Sequence, residues 1–170
     1  MRAISRLLIP ISSLVVGLYL GFILFGAVAH ENSHALVCLF FGLPYRYSLS
    51  QITYYTPNAS QITQIIVGAS GGIGQALSSL VFFGEVTFLE NRNAKWFLSA
   101  FGFEIAFLTI AFMGIVNSIW EGFFHDNYDK YYNNAIIFTV LAVSMMGLSA
   151  YVVNRWKGKR LNAKLVAECI

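Results

Sequence analysis

The chain has 170 residues, of which 57% are hydrophobic and 11% charged, with a formal charge of +3 and a mean hydropathy of +0.64. Soluble domains carry about a quarter charged residues, so this composition excludes an ordinary soluble domain and places the chain in the membrane class. The small net charge gives no footprint for nucleic acid, and two cysteines, Cys38 and Cys169, far apart in unlike contexts, exclude a disulfide framework or a zinc ribbon.

The chain opens on Arg2 and Arg6 and enters an apolar region from about Leu7 to Leu43. Ala27-Val28-Ala29 resembles a signal-peptide cleavage site, but the apolar stretch exceeds the about 7–15 residues of a signal core, and cleavage would strip the helix preceding His30. A helix of about 36 residues would be about 54 Å long against a bilayer core of ~30 Å, so the region tilts, breaks into two passes or projects. Gly42 followed by Pro44 marks its end. The Tyr-, Ser- and Thr-rich stretch from Pro44 to Gln61 favours extended structure, with a turn signal at Pro57-Asn58, and predicts a small β-hairpin or an aromatic loop at the membrane surface. Asn58-Ala59-Ser60 is a glycosylation sequon, meaningful only in a secretory-pathway membrane.

Further spans are predicted at about 62–89, 96–120 and 135–153, each near the length of about 20 apolar residues that a crossing needs. The second contains Gly68-Ala69-Ser70-Gly71-Gly72-Ile73-Gly74-Gln75-Ala76, whose small residues let helices pack closely. Glu104, eight residues past Trp96, is expected to reach water at the cytoplasmic end of the third span. The basic tail, 154–170, reads as a cytoplasmic anchor. Arg2, Arg6, Arg92, Lys95 and the tail place both termini in the cytoplasm if the first region crosses once. The expected fold is a single all-α polytopic membrane domain of about four helices with a small surface hairpin.

His30-Glu31-Asn32-Ser33-His34 matches H-E-x-x-H. On a helix, positions i and i+4 share a face, so two imidazoles reach one Zn²⁺ while Glu31 serves as general base toward a water activated by the ion. The alternative is an interfacial polar cluster, but ionisable groups this dense in an apolar span require a partner, and a divalent cation is one. Cys38, a turn beyond His34, reads as packing. A third ligand is needed. It is sought between Asn117 and Asp129, where Asp126 is preferred, followed by Glu121, His125 and Asp129.

The stretch His30 to Ala35 followed by Gly42-Leu43-Pro44, then the Gly-rich helix, then Asn117 and Asp126, resembles the site-2 protease family of intramembrane zinc metalloproteases over about residues 16–130. The resemblance implies a zinc cofactor held by His30, His34 and Asp126, with Asn117 near the substrate oxyanion. The family's N-x-x-P…L-D-G pattern is altered here: Trp120 replaces the proline, and Asn127 follows Asp126 in place of glycine. The Gly-rich segment likewise lacks the family's proline and asparagine. The implied activity is hydrolysis of peptide bonds in a membrane-protein substrate within the lipid bilayer. Two other functions compete: a non-catalytic protein of the same fold that binds a client, and a metal- or haem-binding subunit.

Overall fold

A computed structural model describes residues 2–48, 51–54, 58–92, 97–124 and 135–168. The first apolar region is one continuous rod and not two passes. It comprises α1 (Arg2–Gly21), a π-helical segment (Phe22–Ala29) and α2 (His30–Phe40). Its buried positions are 13, 17, 21 and 25, then 30, 34 and 38. The fours are the interior stripe of an α-helix. The single step of five falls in the π segment, where wider turns absorb one extra residue. That residue brings His30, His34 and Cys38, in place of position 29, onto the stripe that Ser13, Gly17, Gly21 and Phe25 begin.

The rod stops as the sequence predicts. Gly42 takes φ +65°, the Leu43 N–H donates to the Cys38 carbonyl at 2.8 Å, and the Gly42 N–H donates to the Leu39 carbonyl at 3.2 Å. This is a Schellman closure, for which glycine supplies the left-handed residue. The predicted hairpin follows, with β1 (Tyr45–Ser48) antiparallel to β2 (Gln51–Tyr54) and Tyr47 opposite Ile52. Ser60 then caps α3 (Gln61–Arg92), its hydroxyl accepting the Thr63 N–H at 3.1 Å. Next come α4 (Phe97–Phe123) and α5 (Ala135–Glu168).

α3 and α4 form the central pair; α1 lies along α4, α2 along α3, and α5 against α4. Small residues let α3 and α4 approach, since a Cβ on Gly72 would strike the Gly114 carbonyl and Ser118, and one on Gly114 would strike the Gly72 carbonyl. Phe25, Phe107 and Ile110 fill one part of the core, and Ile105, Leu108 and Val153 another. Outward lie Val15, Tyr19, Leu36, Phe40, Leu77, Leu89, Ile136 and Val140, all exposed. Among the described residues, four helices are long and apolar enough to cross a bilayer, and such outer faces match hydrocarbon rather than water. The architecture is the expected all-α polytopic one with a two-stranded hairpin.

Two expectations are corrected. Glu104 does not reach water: it is fully buried, with its carboxylate 2.8 Å from the Lys157 ammonium and accepting the Thr87 hydroxyl at 3.0 Å. The basic segment after residue 153 is a continuation of α5 as far as Glu168. In it Lys157 turns inward, between Glu104 and Glu90, the latter also at 2.8 Å. Stripping the ammonium would strand the buried Glu104 carboxylate and the half-buried one of Glu90. Lys157→Met is therefore expected to cost about 3–5 kcal/mol, read as a fall in unfolding temperature in detergent, and Glu104→Gln with Glu90→Gln in the same chain should restore part of it.

Candidate metal centre

The interior stripe delivers His30 and His34 to α3 and α4, where they are 6% and 4% exposed. α4 runs three residues beyond the predicted end of the third span and carries Glu121 into the same space, 8% exposed. His30 Nε2 lies 3.1 Å from Glu121 Oε1, His34 Nε2 lies 3.3 Å from Glu121 Oε2, and the two Nε2 atoms are 3.2 Å apart. Ligand atoms about 2.0–2.1 Å from a zinc ion at tetrahedral angles stand about 3.3–3.4 Å apart. The three side chains are thus spaced as one metal would hold them, and they form the His/Cys/Asp/Glu group of metal-binding spacing found among the described residues.

The proton positions agree. His34 Nδ1 lies 2.7 Å from the Val67 carbonyl, which only accepts, so Nδ1 carries a hydrogen, and in the neutral imidazole Nε2 then presents a lone pair. The Ser70 hydroxyl also sits 3.2 Å from Nδ1. A carbonyl behind a ligand imidazole fixes ring orientation and tautomer. Glu121 Oε2, buried and facing that lone pair, has no hydrogen-bond donor among the described residues. A lone pair and a carboxylate oxygen turned toward each other without a proton between them repel unless a cation intervenes.

Gly71 makes the room. A Cβ built there would collide with the Nε2 atoms of both His34 and His30, so the space a methyl would take is the space between the ligands. The Gly-rich run therefore does more than pack helices.

Glu31 points to another side of α2 and is half-buried. Its Oε2 accepts the Ile52 N–H at 2.8 Å. Ile52 stands opposite Tyr47, and its N–H points away from β1, so the outer edge of β2 is the one that meets α2. Two residues further on, the Tyr54 ring lies against His34 with centroids 5.5 Å apart. Burial, reinforced by the negative charges of Glu121 and Glu31, raises the Tyr54 phenol above its usual pKa and keeps it a neutral donor.

Of the sequence-predicted residues, His30, His34 and Glu121 are brought together, Glu31 lies beside them on another side of α2, and Asp126, His125 and Asp129 lie outside the described residues. Asn117 is buried one turn before Glu121 and donates its amide to Gln75 Oε1 at 3.1 Å, while Gln75 donates to the Ile110 carbonyl at 3.1 Å. Cys38 is fully buried as packing and stands outside the ligand group. Sequence reasoning missed Gly71 and Tyr54 as parts of the site; the i, i+4 spacing of Asn117 and Glu121 was the available signal that α4 continues through the acid. Compared with known protein families, curated proteins and solved structures, the chain shows no significant match.

Proposed function

We propose that this protein is an intramembrane zinc metallopeptidase of the site-2 protease kind, with His30, His34 and Glu121 as the metal ligands and Glu31 as the general base. The observation that carries this reading is the convergence of two imidazole nitrogens and a carboxylate at 3.1–3.3 Å around a space that only glycine at position 71 leaves open. Zinc, when bound, supplies a Lewis acid that polarises a carbonyl and brings the pKa of water to ~7.

The chain's own residues do the rest. Glu31 takes a proton from water as the water oxygen bonds to the carbonyl carbon, then gives it to the nitrogen as the C–N bond breaks. The Ile52 N–H, on Glu31 Oε2, fixes the direction in which the carboxylate presents its other oxygen. The buried walls of α3 and α4 keep the ligands dry, which strengthens every charge interaction there. The β2 edge that reaches Glu31 is free of β1. A substrate segment unwound to an extended strand and laid beside the hairpin would run past the general base. The substrate class is therefore the membrane-embedded segment of another protein.

The test is Glu31→Gln in purified protein reconstituted into liposomes with a single-span reporter substrate. Zinc per chain should be unchanged, while cleavage falls about 100- to 10,000-fold. Undiminished cleavage in Glu31→Gln would sink the peptidase reading. A wild-type protein that binds zinc but never cleaves would favour the non-catalytic client-binding function.

A further inference from the structure

Hydrolysis at a metal leaves one charge to be met by the protein: the negative charge that collects on the scissile carbonyl oxygen. Asn117, the donor that the family resemblance proposes, is buried and directs its amide onto Gln75 at 3.1 Å. Tyr54 stands at the end of β2. Its ring packs on His34, tilted by 39° with centroids 5.5 Å apart. It lies two residues along β2 from Ile52, so the hydrogen bond that anchors Ile52 to Glu31 also fixes Tyr54 relative to the base.

Resting on the peptidase reading above, we infer that Tyr54 is a further catalytic residue, whose phenol donates a hydrogen bond to the carbonyl oxygen of the scissile peptide as water adds to it. The phenol keeps its proton throughout. The only proton transferred runs from water to Glu31 and on to the leaving amine. Tyr54 is suited to this because it belongs to the hairpin and not to the helices. A substrate laid beside the hairpin meets the donor there, so substrate alignment and charge stabilisation arrive together. A packing ring alone would need no hydroxyl, and Tyr54→Phe separates the two roles by keeping the ring on His34.

The experiment compares wild type, Glu31→Gln and Tyr54→Phe in the same proteoliposomes, with kcat, KM and zinc per chain measured for each. Tyr54→Phe should lose about 100-fold in kcat, the loss typical of one deleted oxyanion donor, with KM within about twofold of wild type and full zinc. If wild type cleaves, Glu31→Gln is dead and Tyr54→Phe stays within about threefold of wild type, the inference on Tyr54 is overturned and the peptidase reading survives. Loss of zinc in Tyr54→Phe would also overturn it, by showing that the hydroxyl serves the ligands and not the reaction. Absence of cleavage by wild type would remove both claims.

Discussion

Gly71→Ala should fold, insert and purify with unchanged helix content, yet carry almost no metal and cleave nothing. A Cβ at this position would lie 2.6 Å from His30 Nε2 and closer still to His34 Nε2, inside the space where their lone pairs meet. Helix α3 has no slack with which to retreat, because Gly72 abuts the Gly114 carbonyl and Gly68 abuts the Glu121 carbonyl across the same interface. The imidazoles must swing away, and with them goes the ligand spacing on which affinity depends. Zinc per chain, by elemental analysis of dialysed protein, should drop from about one to near zero, with circular dichroism unchanged. Gly84→Ala is the matched control. A Cβ there meets nothing within 4 Å, so the metal should stay. Removing a mid-helix glycine should add about 0.5–1 kcal/mol of stability.

The second large effect separates two acids. Glu121→Ala takes away the only described carboxylate that reaches both imidazoles. Zinc affinity, measured by competition with a chromophoric chelator, should fall by more than the about 10- to 100-fold that outer-shell changes cause. Asp126→Ala should bind zinc as wild type does. The reverse result, metal retained in Glu121→Ala and lost in Asp126→Ala, would return the third ligand to the residue that the family resemblance prefers.

Much of this was legible in the sequence, and the failures share one cause. The apolar regions, the Gly42 stop, the hairpin between the first two spans and the paired histidines all rest on local pattern, which composition and spacing report directly. What local pattern cannot report is a charged side chain whose partner is distant along the chain. A carboxylate at the end of an apolar run reads as the end of the span. Glu121 instead lies inside α4, because the imidazoles it meets come from α2. Lys157 likewise reads as a solvated anchor, although it is buried against Glu90, 67 residues away, and Glu104. The π segment was invisible for a different reason. Phe22 to Ala29 is apolar almost throughout, and a run without polar residues shows no period from which an extra residue can be counted.

That widened stretch makes the rod an indexing device. Each residue of an ordinary helix advances the azimuth by about 100°, so the half that grips α4 and the half that bears His30 and His34 would be phased by their separation alone. One inserted residue decouples them: the upstream half can be optimised for seating in the bundle while the downstream half is aimed on its own. Chain length between Phe25 and His30 is then a structural quantity in its own right, as much a part of the site as the chemical identity of the groups it aims.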